Sequence, residues 1–253
     1  MEPFPLAKSE ETRSGFPLKC STCPVLRSEE WADIDDEKKR LLDRTRRVHL
    51  CRRGDTLFLQ GDEPQGIYCV QAGYLLLWRG DYFGNETAFD FAAAGDCVGY
   101  RSFFAQDAHS ATARALTPSR ICLIPGATIH HLLDGNASLT QCFLRLIARD
   151  RGPSNATLLR SGHLPVYVRL IRLLLILGKR CASNSGGPGF ELDLPLTRRD
   201  MAALIDVRPE TLSRALGELR DEGLAISSGR HFVVPDCDRL IKATGALSCT
   251  ERG

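Results

Sequence analysis

The chain reads as an α+β protein: a β-rich N-terminal half, a helical link, and a helix–turn–helix followed by a β hairpin. Three observations predict this. Leu196–Arg214 divides into two short apolar-faced helices around a tight turn. Gly54, Gly61, Gly73, Gly84 and Gly95 recur at seven- to twelve-residue intervals, the punctuation of a compact all-β domain. Between these regions, Leu139, Cys142, Phe143, Leu146 and Ile147 form an apolar stripe at helical spacing over Ser138–Ala148.

In chain order, residues 1–18 are expected to be poorly ordered and 19–137 to form the β-rich domain. Thr56–Leu59, Gly66–Gln71, Gly73–Arg79, Thr87–Phe91 and Ile121–Pro125 are its strand candidates. The linking helix falls in 138–163, interrupted at Gly152-Pro153. A proline there removes a helix hydrogen bond and clashes with the preceding turn, at a cost of about 3 kcal/mol or more. The helix should therefore kink or end near Arg151, which makes Gly152-Pro153 either a hinge or the end of a shorter helix. Residues 164–245 form the third region. It opens on the helix Pro165–Lys179, apolar at Val166, Leu170, Leu173, Leu174 and Leu177. Ser183–Gly189 reads as a flexible loop, and 246–253 as a poorly ordered end.

The helix–turn–helix carries the most chemistry. Thr197 can cap the first helix by accepting a backbone N–H that the first turn leaves unpaired. Met201, Ala202, Leu204 and Ile205 supply its apolar face, and Asp206-Val207 makes the turn. Pro209 suits the first turn of the second helix, where its missing N–H costs nothing. Leu212, Leu216 and Leu219 bury one face of that helix, which leaves Glu210, Ser213 and Arg214 clustered at its N-terminal end. A recognition helix presents base-reading side chains from that end. Arg214 can donate two hydrogen bonds to guanine O6 and N7, and Glu210 can accept from an exposed amino group. Leu224–Val234, with Ser227-Ser228-Gly229 between apolar runs, reads as a hairpin wing. An ordinary helical hairpin with a solvated charged face is the competing interpretation.

With 253 residues, 43% of them hydrophobic, the chain can bury a core and form two domains. The net charge is only +2. Thr197–Arg230 has six basic residues (Arg198, Arg199, Arg208, Arg214, Arg220, Arg230) and six acidic ones (Asp200, Asp206, Glu210, Glu218, Asp221, Glu222). No polybasic footprint exists, so phosphate contacts would come from a few placed residues: Thr197, Arg198, Arg208 and Arg230. No secretory pattern and no long apolar run is present, so the expected location is the cytoplasm, away from membranes. There is no phosphate-binding glycine loop, His-Glu-x-x-His or nucleophile elbow, which argues against an enzyme. A metal or redox enzyme using Cys20 and Cys23 is the alternative from that class.

Ten cysteines are many for a chain of this kind. Without a secretion signal a disulfide scaffold is not expected. Cys69, within an apolar strand, and Cys142, beside Phe143 and Leu144, read as small buried residues. Cys20-Ser21-Thr22-Cys23 lies in a loop-like segment where core packing gives no reason for two thiols. Two thiolates at that spacing can grip a metal or cluster; zinc, a redox dithiol and accident all remain open.

Val207–Arg214 and the wing resemble the winged helix-turn-helix of the cyclic-AMP receptor / fumarate–nitrate regulator family of bacterial transcription factors. The resemblance extends over roughly residues 20–245. It implies a jelly-roll-like, cyclic-nucleotide-binding β-roll, a dimerisation helix and a homodimer on double-stranded DNA, with RNA polymerase as a further partner. Arg53-Gly54-Asp55, Gln60-Gly61-Asp62 and Gly95-Asp96-Cys97-Val98-Gly99 look like the roll's turns. Glu210-Thr211-Leu212-Ser213-Arg214 is similar to the fumarate–nitrate branch, whose Glu, Ser and Arg read a TTGAT-type half-site.

The resemblance also bears on the signal. In the cyclic-AMP branch a Glu follows the roll's glycine and an Arg-Ser pair holds the phosphate. Here Tyr100 and His109-Ser110 stand in those places, which argues against cyclic AMP. In oxygen-sensing members, N-terminal cysteines and one from the roll hold a [4Fe–4S] cluster. Cys20, Cys23 and Cys122 match three of them, whereas Leu26–Trp31 contains no cysteine where a further one usually stands. The resemblance leaves Cys51, Cys97 and Glu29 as candidates for the fourth ligand. Haem, nitric oxide, another small ligand or thiol oxidation are the alternative signals; among the histidines, His130-His131 are expected to flank a surface helix.

Overall fold

A computed structural model describes residues 20, 23, 25–27, 34–82, 86–151, 164–181 and 187–245. The chain divides into two compact units, one drawn from 1–75 and 92–149, the other from 76–91 and 150–253. Gly152-Pro153, Glu29 and most of Ser183–Gly189 lie outside the described residues.

The first unit opens with helix α1 (Asp36–Thr45), started by Asp35, whose carboxylate accepts the Lys38 N–H at 2.8 Å. Strands β1 (Arg47–Cys51), β2 (Thr56–Phe58), β3 (Gly66–Ala72), β4 (Tyr74–Gly80), β5 (Glu86–Ala93) and β6 (Cys97–Val98) follow in chain order, with most of β4 and β5 belonging to the second unit. Helix α2 (Tyr100–Ala105), strands β7 (Thr112–Ala115) and β8 (Ser119–Pro125), and helices α3 (Gly126–Leu133) and α4 (Ala137–Arg151) complete this part. A four-stranded sheet ordered β1–β8–β3–β6 lies wholly in the first unit, where β2 also pairs with β7.

The Gly-Asp pairs explain the turns. Asp55 accepts the Arg52 N–H, Asp62 the Leu59 N–H and Asp96 the Ala93 N–H, each three residues back. Each carboxylate thus closes its turn from the C-terminal side by accepting a backbone N–H. Gly73, between β3 and β4, has φ +86°, and a Cβ there would lie 2.2 Å from Ser119 Oγ, so no other residue fits. At Gly66 a Cβ would lie 2.0 Å from the Ile124 carbonyl oxygen. That close approach lets β3 run beside β8 from Gly66 opposite Pro125 to Cys69 opposite Cys122.

Strands β1, β6 and β7 are additional to the expected ones, although β1 alternates as Arg-Val-His-Leu; they pair with β8, β3 and β2. His130-His131 do not flank a helix but sit in the last turn of α3. The stripe on α4 is turned inward. Leu139 and Phe143 are buried, and Leu146 and Ile147 pack partly against the same core, so most of the surface expected to serve as a dimer seam packs on the protomer's own core.

The second unit contains helix α5 (Val166–Cys181), strand β9 (Phe190–Asp193), helices α6 (Arg198–Leu204) and α7 (Pro209–Asp221), strands β10 (Ile226–Ser228) and β11 (His231–Val234), and helix α8 (Cys237–Lys242). Leu170, Ile171, Leu174 and Leu177 of α5 are fully buried, and α5 packs on α7. The wing is a three-stranded sheet, β10–β11–β9. Its hairpin turns at Gly229-Arg230, because Ser228 pairs with His231, one to two residues later than the Ser-Ser-Gly run suggests. Among the described residues, no helix is long and apolar enough to cross a membrane.

Candidate functional site

The helix–turn–helix is assembled from local chemistry. Thr197 accepts the Asp200 N–H at 3.1 Å, while Asp200 accepts the Thr197 N–H at 2.8 Å. This capping box satisfies two otherwise orphaned donors. Pro209 opens α7, and Leu212, Ala215, Leu216 and Leu219 are buried beneath it. The turn between the helices needs a left-handed residue, and Asp206 takes φ +55°.

Arg169, only 9% exposed, reaches this turn from α5. Its Nη1 donates to the Ile205 carbonyl and, at 3.5 Å, to that of Asp206. The Ile205 carbonyl sits at the C-cap of α6, where carbonyls have no intrahelical partner, and that of Asp206 lies one residue beyond. Sequence reading missed Arg169, since an arginine inside an apolar helical run signals nothing until the turn is folded against it.

Glu210, Ser213 and Arg214 are all exposed on α7. The Ser213 hydroxyl donates to the Pro209 carbonyl at 2.9 Å, so toward DNA it offers acceptor lone pairs. The four residues expected at phosphates divide. Arg208, at the head of α7, and Arg230, at the wing tip, are exposed. The Thr197 hydroxyl donates to Asp200 at 2.7 Å. Arg198 donates to Ser227 Oγ at 3.0 Å and lies over the Phe232 ring, 5.5 Å from its centre. Arg198 thus ties α6 to the wing, and Thr197 serves the helix cap.

In the first unit, Cys20 and Cys23 lie on an irregular segment, as expected, but each is only 4% exposed, inside the hydrophobic core. The Cys23 N–H donates to the Cys20 carbonyl at 3.1 Å, which makes a tight turn. This turn and the β3–β8 pair line a small, partly open cavity of about 10 Å³. Cys20, Cys23, Cys69 and Cys122 all line it. Burial pushes the Cys20 thiol up to about 12, helped by the Asp43 carboxylate, and the Cys122 thiol up to about 11, against the opposing pull of Arg46. Without a bound positive charge these groups are neutral thiols. Among the described residues, no three His, Cys, Asp or Glu side chains converge on one metal-ion position.

Two polar side chains reach the same cavity. Gln71 Nε2 donates to Cys23 Sγ at 3.6 Å, and its Oε1 is held by Arg120 Nε at 2.9 Å. The Arg46 side chain, 8% exposed, pairs with Asp43 at 3.0 Å, and its Nη1 is buried with no hydrogen-bond partner. A guanidinium N–H is rarely left buried and unpaired, and this one fits an anionic occupant of the cavity. Of the fourth-ligand candidates, Cys97 lies beside Cys69 (Sγ to Sγ 3.4 Å) but does not line the cavity. Cys51 pairs with Ser119, three positions from the partner of Cys122 and so on the opposite face of the sheet.

The two positions that bear on cyclic nucleotides are both occupied by buried rings. Tyr100 packs in the cysteine-lined core. His109 is 3% exposed and stacks on Phe58 at 3.9 Å, with its Nε2 buried and unpartnered. Burial lowers its pKa, against a weaker opposing pull from Asp62. Above the unfolded pKa, about 6.5, the ring is neutral in both states and costs nothing. As pH falls through that value the unfolded chain takes a proton that the folded ring resists, so stability drops. His49 shifts the same way, through burial and then Arg47. The expected result is a thermal midpoint that falls between pH 7.5 and 5.5, with a shallower fall in His109→Phe; an unchanged slope in the variant would remove His109 from this account.

Comparisons with known proteins agree with this architecture. Residues 48–136 match the family described as the cyclic nucleotide-binding domain, and residues 168–243 match the Crp-like helix-turn-helix domain. The fumarate and nitrate reduction regulatory proteins of Escherichia coli K12 and Salmonella typhi are each 28% identical over 211 residues, 83% of this chain and 82% of theirs. Among solved structures, FixK2 from Bradyrhizobium japonicum superposes with a TM-score of 0.71 at 20% identity, covering 80% of this chain and 99% of that one. A Crp/Fnr-family transcriptional regulator from Thermus thermophilus gives 0.58 at 22%, covering 80% and 100%. A cyclic nucleotide-binding-type β domain followed by a Crp-like helix–turn–helix places this chain in the Crp/Fnr family of DNA-binding transcription regulators.

Proposed function

We propose that this regulator senses oxygen or redox state through an iron–sulfur cluster held by Cys20, Cys23 and Cys122, and binds a TTGA-containing palindrome as a homodimer. RNA polymerase is the further partner in this reading. One observation carries it: three cysteines from two distant segments meet at one cavity, beside a buried guanidinium with an unpaired N–H. When bound, such a cluster supplies oxygen-labile, one-electron chemistry.

The chain's own residues do the rest. The sheet and the turn of Cys20 and Cys23 hold the thiols and limit access of water. Gln71 orients Cys23, and Arg46 offsets negative charge. In the other unit Glu210, Ser213 and Arg214 read bases, while Arg208 and Arg230 meet phosphates.

The test is an anaerobic purification followed by a visible spectrum, with iron and acid-labile sulfide assays. DNA binding is then measured before and after air, on inverted TTGAT half-sites and on a scrambled duplex. The expected result is a broad band near roughly 400 nm, near-equal iron and sulfide, and affinity for the palindrome that changes on air exposure. Iron-free protein from a preparation that loads a control cluster protein would reject the cluster, and equal affinity for both duplexes would reject the palindrome.

A second reading, thiol oxidation without a cluster, has one specific observation behind it: the 3.4 Å separation of the Cys69 and Cys97 sulfurs. Joining them would release two protons and two electrons to an oxidant such as a peroxide. A mass loss of two hydrogens in air-treated, iron-free protein would favour it.

A further inference from the structure

We propose that Cys69 is the fourth cluster ligand, completing a set with Cys20, Cys23 and Cys122; this rests on the cluster reading above. The inference comes from strand register. Cys69 lies directly opposite Cys122 in the antiparallel β3–β8 pair. Residues so placed project to the same face, with Cβ atoms about 4.5–5.5 Å apart. Two thiols therefore come from the sheet and two from the Cys20–Cys23 turn, around one cavity. Cys69 is 2% exposed, and it is the cysteine beyond the expected three that lines this space.

In a four-iron cluster each thiolate takes its own iron, and four cysteines line this one cavity. On binding, four thiols release four protons; a cluster core of charge two plus then leaves a net charge of two minus. Arg46, buried with an unpaired Nη1, lies where it offsets part of that charge. Cys97 is the neighbour of Cys69 on its other side, which accounts for the 3.4 Å sulfur contact without placing Cys97 at the cavity.

The experiment compares wild type with Cys69→Ser, Cys69→Ala, Cys97→Ser and Cys51→Ser. All are purified anaerobically and loaded with ferrous iron and sulfide. Iron and sulfide per chain and the visible spectrum are read, and circular dichroism with a melting curve reports folding. The expected result is a several-fold loss of iron and sulfide in both Cys69 variants, with a folded spectrum, and wild-type content in the Cys97 and Cys51 variants. If one Cys69 substitution fails to fold, the other decides. Wild-type cluster content in a folded Cys69 variant overturns this proposal and leaves the cluster reading standing. Iron-free wild type, or one zinc per chain in place of iron, overturns both.

Discussion

Arg169→Ala is expected to destabilise the DNA-binding unit by about 2–3 kcal/mol, the range for losing hydrogen bonds from a charged donor to buried acceptors. Nη1 of this side chain satisfies the Ile205 carbonyl and approaches that of Asp206. Without it, the end of α6 faces a void with an orphaned acceptor. For a domain of this size that loss is about 4–8 °C of melting temperature per kcal/mol. An opposing cost exists, because Arg169 is a buried charge and its Nε has no partner; apolar replacements of buried charges are often tolerated. Arg169→Met, which keeps the stem and drops the charge, should therefore fall between wild type and Arg169→Ala. Affinity for DNA should fall with stability, since the bond holds the left-handed turn that sets α7 against α6. A melting curve for Arg169→Met at or above wild type, with DNA affinity intact, would show that the guanidinium contributes no net hold on the turn.

Arg214→Ala should cost about 1–3 kcal/mol on the cognate duplex, roughly five- to 150-fold in affinity, and little on scrambled DNA. The side chain is exposed at the N-terminal end of α7 and carries no ion pair among the described residues, so its fork is available for a guanine edge. The loss should be largest where the half-site carries guanine, and substitution of that base should add little in the variant. Arg208→Ala makes the contrast: it should weaken all duplexes alike and flatten the salt dependence, as expected for a phosphate contact. Fluorescence anisotropy with labelled duplexes over a salt series separates the two. Equal affinities of wild type and Arg214→Ala on both duplexes would exclude Arg214 from base reading.

These two arginines mark what local sequence exposes and where sequence reading stops. Arg214 is legible because its helix is specified locally. Thr197 caps, Pro209 opens and Leu212, Leu216 and Leu219 bury one face, so the remaining residues must face solvent. Capping and periodicity act within a turn or two of chain, and the sequence alone settles them. The Gly-Asp turns of the β domain were legible for the same reason.

Arg169 is not legible, because its partners are carbonyls 36 and 37 residues away. Nor is the apolar stripe on α4: periodicity says that a face is buried but not whether a second subunit or the chain's own core covers it, and here Leu139 and Phe143 face inward. The cysteines show the limit most clearly. Cys20 and Cys23 read as a loop, and Cys69 as packing, yet all three line one cavity with Cys122. Which cysteine of a strand faces which is decided by register, and a one-residue slip sends every side chain to the other face. Register here is fixed by close approaches such as Gly66 against Ile124. Local sequence therefore determined the turns, the caps and the reading helix, while long-range strand pairing, which folding alone establishes, decided which thiols share a site.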